Sequence, residues 1–226
     1  DKYISQRQRL LGNRTETMME NSMKMTVADL LVAIQNRIMK KSTYFGVKAE
    51  KNPMDAWVYQ EIIFETKPDV IVEIGNLKGG GLLTYAHLFD LLGRGRVIGV
   101  DQNHKQIAAS VLSHKRITLV TGDCVKMYSA VAAMIKPTDR VMIIEDSAHT
   151  YQNTLNVLNI YSPLVSSGCY FIVEDSICRH GLRLGPTPGP YEAIETFIKS
   201  SGDFIIDRER EAFLITWNPK GYLKRV

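Results

Sequence analysis

Three cysteines in 226 residues, Cys124, Cys169 and Cys178, are too few and too odd in number for a disulfide framework, and no C-x-x-C pair offers zinc-site spacing. They read as buried or free thiols of a reducing compartment, with the cytoplasm as the expected location. No sign of charge dominates either. Against 24 acidic residues stand 28 basic ones, and the resulting +4 is spread along the chain apart from Lys220, Lys224 and Arg225, so no nucleic-acid partner is implied. Long hydrophobic runs are missing as well: Ala28 to Ile34 is broken by Asp29 and falls far short of the roughly 20 residues that cross a bilayer. Without a signal-peptide pattern, an internal repeat or a low-complexity tract, the expectation is a soluble chain with no membrane contact. What the chain does have is 45% hydrophobic residues. That suffices for one large core, burying roughly 70% of the surface that the unfolded chain exposes.

The first 25 residues or so are polar and Met-rich, and no firm structure is assigned to them. Thr26 with Asp29 makes a capping-box start for a helix carrying Val27, Leu30, Leu31, Ile34 and Ile38 on one stripe. Asn52-Pro53 opens a second helix, with Trp57, Val58, Ile62 and Ile63 on one side and Lys67-Pro68 as its stop. Beyond Pro68, the apolar β-branched runs 70–74, 96–100, 117–120, 141–144 and 170–173 read as buried strands, separated by stretches long enough for crossover helices. Residues 204–206 and 212–217, flanking the charged turn 207–211, read as a closing hairpin. The expected fold is α/β, a Rossmann-like doubly wound, mostly parallel sheet closed by an antiparallel C-terminal hairpin strand, with an N-terminal helical arm over 1–43 and the main domain over 44–226.

The first strand runs into Glu73-Ile-Gly75-Asn76-Leu77-Lys-Gly79-Gly80-Gly81. A phosphate loop would need Lys and a hydroxyl where Gly81 and Leu82 stand, and a dinucleotide fingerprint would need glycine at Leu77. The remaining pattern, Glu-x-Gly-x-x-x-Gly, resembles the first motif of S-adenosylmethionine methyltransferases. Glu73, Gly75, Asn76, Gly79 and Gly80 are therefore the candidate cofactor loop. Asp101, after the second strand, can accept hydrogen bonds from ribose hydroxyls, and Asp123-Cys124, after the third, stand where such enzymes often hold the adenine.

Glu145, Asp146 and His149 follow the fourth strand, and Glu174 and Asp175 the fifth. Like charges crowded at one crevice need protons or a cation, and an all-oxygen set of Asp146, Glu174 and Asp175 favours Mg²⁺, with Mn²⁺ or Ca²⁺ as substitutes. His149 is the candidate general base, with Asp146 beside it as the second candidate catalytic residue.

From about Tyr44 to Val226 the chain resembles the cephalosporin hydroxylase and rhamnosyl O-methyltransferase family. The resemblance is carried by Lys51-Asn-Pro-Met-Asp-Ala-Trp-Val-Tyr-Gln-Glu61, Val72 to Gly80, Asp146-Ser-Ala-His149, Tyr161 to Gly168, Val173-Glu-Asp175, Gly189-Pro190 and the tail from Asp207 to Val226. It implies a methyltransferase fold, S-adenosylmethionine as methyl donor, and a magnesium ion on Asp146, Glu174 and Asp175. Two departures stand out: Ser147 where some relatives carry a second Asp, and Gly81 where Gly-Gly-Ser is common. The expected activity is O-methyl transfer to a small-molecule acceptor, a sugar or glycosylated natural product. The alternatives are a nicotinamide-dependent oxidoreductase, which Leu77 disfavours, and a non-catalytic partner subunit of a hydroxylase system. The apolar stripe of the first helix suggests a homo-oligomer assembled partly through residues 1–43.

Overall fold

The computed structural model describes residues 24–226, so the Met-rich stretch up to and including Met23, and any part it takes in assembly, lie outside the described residues. The chain runs α1 (Val27–Lys41), β1 (Thr43–Tyr44), β2 (Val47–Lys48), α2 (Pro53–Thr66), β3 (Val70–Ile74), α3 (Gly80–Leu91), β4 (Arg96–Asp101), α4 (Ala109–Leu112), β5 (Ile117–Thr121) and α5 (Cys124–Ala133). It continues with β6 (Val141–Glu145), α6 (Tyr151–Tyr161), β7 (Tyr170–Val173), α7 (Pro190–Ser200), β8 (Phe204–Ile206) and β9 (Tyr222–Arg225).

The five apolar runs become the five parallel strands β3 to β7, in a seven-stranded sheet of order β5-β4-β3-β6-β7-β9-β8. Alternation along β3 serves both faces. Val70, Val72 and Ile74 join Val131 of α5, Val157 and Leu158 of α6, and Ile194 and Phe197 of α7; Ile71 joins Val58 and Ile62 of α2, Leu82 and Phe89 of α3, and Val111 of α4. The chain turns back between β3 and its neighbours β4 and β6. That reversal opens a crevice at the carboxyl ends of the strands, where open α/β sheets bind ligands.

The closing strand is not the expected one. β8 pairs with β9, in the register Ile206 to Leu223, and β9 lies antiparallel between β7 and β8. Residues 212–217 stay out of the sheet because their polar groups are taken elsewhere: the Thr216 hydroxyl donates to Asp55 Oδ1 at 2.6 Å and the Trp217 amide to Asp55 Oδ2 at 2.8 Å. Tyr222 and Leu223 are fully buried and feed opposite faces of the sheet.

Both early helices start at the expected caps, the Thr26 and Asn52 side chains each accepting a backbone N–H. Trp57 corrects the expected apolar side of α2: it is exposed and donates to Glu61, while Val58, Ile62 and Ile63 are buried. Part of the α1 stripe is covered within the chain, where Leu31 and Ile38 pack with Ile177, Leu182 and Trp217, while Val27 at its start is exposed.

Candidate active site

One cleft of about 610 Å³ spans the carboxyl ends of β3, β4, β5 and β6. Gly75 turns the chain out of β3 at φ +89°, and a Cβ there would stand 2.0 Å from the Asp146 carbonyl oxygen. Glycine is thus required twice, for conformation and for the close crossing of two strand ends. Gly79, at φ +87°, is the cap before α3, and a Cβ on Gly80 would meet Lys48 and Ala49 at 2.6 Å. Of the candidate loop, Glu73, Gly75 and Asn76 line the cleft; Gly79 and Gly80 are not among its lining residues and shape the turn behind it.

Asp101, Asp123 and Cys124 line the same half. Asp101 Oδ2 accepts the Asn76 amide at 2.8 Å and Oδ1 accepts the Asn103 amide at 3.1 Å, so the carboxylate is fixed with lone pairs left over. Asp123 also caps α5, taking the Lys126 amide at 3.1 Å. Burial pushes the Cys124 thiol up, with the charge of Asp123 adding to it. His104, which carried no sequence signal, braces Asn76 from outside the cleft lining: its Nδ1 is 2.8 Å from Thr121 Oγ1 and its Nε2 3.1 Å from Asn76 Oδ1. An amide oxygen only accepts, so Nε2 is the donor and Nδ1 takes the Thr121 hydroxyl.

The acids beyond β6 and β7 fall into two groups that share Asp146. In one, Asp146 Oδ1 and Asp175 Oδ2 lie 3.8 and 3.4 Å from His149 Nε2. In the other, Glu73, Asp146 and Glu174 surround the Lys51 ammonium. Asp146, Glu174 and Asp175 are thus divided between the two groups, and Arg179 turns elsewhere, donating to the carbonyls of Gly185 and Arg183. Glu145 is buried and accepts from Asn153 Nδ2 at 3.2 Å and from the Ser147 hydroxyl.

His149 and Asp175 hold φ of +52° and +56°, a region bulky residues enter only where the surroundings impose it. Burial pushes the Asp175 carboxyl up to about 6, against the lowering effect of His149. Burial alone would lower His149, but the charges of Asp175, Asp146 and Glu145 outweigh it and raise the imidazole. Burial, then the charge of Asp146, raise Glu174 well above the usual carboxylate range.

The opposite wall comes from elements that sequence motifs did not single out. Gln35 and Met39 of α1, Leu182, Leu184 and Pro186 of the loop before α7, and Trp217 complete the cleft, with the Trp217 indole N–H bonded to Gln35 Oε1. Ile177 and Leu182 anchor that loop in the small cluster under α1.

A cation between Asp146 and Asp175 fits the donors present. One oxygen each of Asp146 and Asp175 lies within 4.8 Å of the other and of the His149 imidazole, so two carboxylates can share an ion with that ring beside it. Such a set suits a hard ion that keeps waters or substrate oxygens in its remaining positions.

The family model described as Rhamnosyl O-methyltransferase/CmcI matches residues 36–226. The rhamnosyl O-methyltransferase of Mycobacterium bovis is 33% identical over 199 residues, covering 84% of this chain and 80% of the relative. That of Mycobacterium leprae is 30% identical over 199 residues, covering 84% and 86%. Among solved structures, CmcI with Mg and SAM superposes at a TM-score of 0.66 with 26% identity, over 82% of this chain and 76% of that one.

Proposed function

Since the chain belongs to the Rhamnosyl O-methyltransferase/CmcI family of S-adenosylmethionine-dependent O-methyltransferases, we propose that it methylates a hydroxyl of a sugar or glycosylated acceptor with the help of a divalent cation. The observation that supports this most is the continuity of the cleft: the half lined by Gly75, Asn76, Asp101 and Asp123 opens directly onto Asp146, His149 and Asp175. Donor and acceptor can meet without leaving one cavity.

In this reading the Gly75–Asn76 turn wraps the methionyl part of the donor, Asp101 takes the ribose hydroxyls, and Asp123 with Cys124 holds the adenine. The acceptor enters on the side of Gln35, Met39, Leu182 and Trp217. Its oxygen attacks the methyl carbon, the bond to sulfur breaks, and S-adenosylhomocysteine leaves as a neutral thioether. Holding that oxygen on the methyl axis supplies much of the rate, because misplacement by an ångström is costly.

Asp146 and Asp175 would hold the ion, which when bound orients neighbouring acceptor oxygens and lowers their pKa. With those two charges offset, the two largest causes of the rise at His149 are weakened, and its Nε2 takes the acceptor proton. Mg²⁺ is the expected ion and Mn²⁺ a substitute, whereas a single imidazole and no thiolate make a poor zinc site. The test is mass spectrometry of products from a panel of rhamnosides and other deoxyhexosides given labelled S-adenosylmethionine. Transfer only to acceptors without sugars would refute the sugar assignment.

A further inference from the structure

Asn76 sits in the glycine turn with each of its polar groups committed. Its backbone N–H donates to Asp101 Oδ2 at 2.8 Å, its carbonyl accepts the Gly79 amide at 2.7 Å, and its side-chain amide donates to the Glu73 carbonyl at 3.0 Å. A carbonyl only accepts, so the NH₂ group of that amide faces Glu73 and the oxygen is left for His104 Nε2, at 3.1 Å. The residue is 5% exposed, and Gly99 of β4 makes room for it, since a Cβ there would stand 2.8 Å from Asn76 Oδ1.

The turn held in this way is strained. Leu77, the next residue, has φ +48°, a left-handed conformation that a bulky side chain enters only where its surroundings impose it. His104 also ties the turn to its neighbours. Its backbone lies in the segment that leaves β4 just after Asp101, and its Nδ1 accepts the Thr121 hydroxyl at 2.8 Å, at the end of β5 just before Asp123. One imidazole thus joins the exits of β3, β4 and β5, which carry Asn76, Asp101 and Asp123. A neutral ring suits the pair of bonds, one nitrogen donating and the other accepting; burial lowers the pKa of His104, against the opposing charge of Asp101.

We propose that His104 is a positioning residue of the methyl-donor half, a brace that holds the Gly75–Asn76–Leu77 turn in its strained form and fixes it against the exits of β4 and β5. The inference rests on the donor placement given above, with the methionyl part at this turn. His104 itself is not among the residues that line the cleft, so it acts through Asn76. A donor that meets a preset turn does not have to order it on binding, and the effect of the brace falls on donor affinity.

The experiment is calorimetric titration of the full chain with S-adenosylhomocysteine and with methylthioadenosine, which lacks the amino-acid part. His104→Ala should weaken S-adenosylhomocysteine by roughly tenfold or more, the equivalent of one stranded buried acceptor, and methylthioadenosine by clearly less. His104→Gln, whose side-chain N–H can reach Asn76, should restore affinity to within about threefold of native, whereas the shorter His104→Asn should not. If His104→Ala does not fold by circular dichroism, Thr121→Val decides: it removes the hydroxyl that sets the ring's tautomer and should weaken S-adenosylhomocysteine by about threefold or more. Native affinity in folded His104→Ala or in Thr121→Val, equal loss of the two ligands, or equal rescue by Gln and Asn would overturn the proposal. A native chain that binds neither ligand would overturn the donor placement itself and this inference with it.

Discussion

Asp55 offers a stability test that reaches into the acceptor side of the cleft. Its carboxylate, 4% exposed, accepts the Thr216 hydroxyl at 2.6 Å, the Tyr222 hydroxyl at 2.9 Å, the Trp217 amide at 2.8 Å and the Asn52 side-chain amide at 2.8 Å. Asp55→Ala strands these donors in the interior. The two hydroxyls can rotate toward other acceptors, but the Trp217 backbone and the Asn52 amide, itself part of the α2 cap, cannot. At about 1 to 3 kcal/mol for each buried unsatisfied donor, the fixed pair costs about 2 to 6 kcal/mol, and we expect about 4. At 2 to 4 °C per kcal/mol for a chain of this size, the melting temperature should fall by roughly 8 to 16 °C. Asp55→Asn keeps one acceptor oxygen and should lose about half as much. Circular dichroism during heating and in urea gives both numbers. Because Asp55 also anchors the segment that carries Trp217, the acceptor KM should rise in the folded fraction while S-adenosylhomocysteine affinity is kept. Stability of Asp55→Ala within about 1 kcal/mol of the native chain would refute the argument.

The other predictions concern the cofactor and the surface. Asp101→Ala should weaken S-adenosylmethionine binding by about 1.5 to 3 kcal/mol in calorimetry, the range for hydrogen bonds to a charged acceptor, and unchanged affinity would remove Asp101 from the ribose. Asp146→Asn and Asp175→Asn should each abolish most methyl transfer yet leave S-adenosylhomocysteine affinity near native; joint loss of both would place these acids in the donor half. Glu65, half exposed, is held below the usual carboxylate range by its hydrogen bond to Arg210. Its folded pKa is depressed, so its contribution is present above the ordinary glutamate pKa and lost as pH falls through the folded value. For so exposed a pair, Glu65→Gln should cost no more than about 1 kcal/mol in urea unfolding at pH 7, and nothing at a pH below both values.

The parallel strands were legible because runs such as Val70–Ile74 and Val141–Glu145 are buried on both faces, leaving no polar alternation to disguise them. The final strand was not. Residues 212–217 look at least as strand-like as 222–225, yet Thr216 and Trp217 are bonded to the distant Asp55 and not to a neighbouring strand. Lys51 and His104 escaped for a related reason. Lys51 meets its partners 95 and 123 residues away, and His104 reaches back to Asn76 across β4, so neither role leaves a local pattern. Glu174 and Asp175 leave their strand on opposite sides, one facing Lys51 and the other His149, a division that their adjacency in sequence does not reveal.

The central claim is that one cleft holds the methyl donor in its glycine-loop half and a cation-assisted acceptor at Asp146 and Asp175. The most direct measurement is transfer of a deuterated methyl group from S-adenosylmethionine to a rhamnoside acceptor, followed by mass spectrometry in EDTA and after adding back Mg²⁺. The account predicts no labelled product in chelator, recovery with Mg²⁺ or Mn²⁺, and no recovery in Asp175→Asn. Full turnover in chelator would contradict it and would leave His149 to remove the acceptor proton without help from a metal.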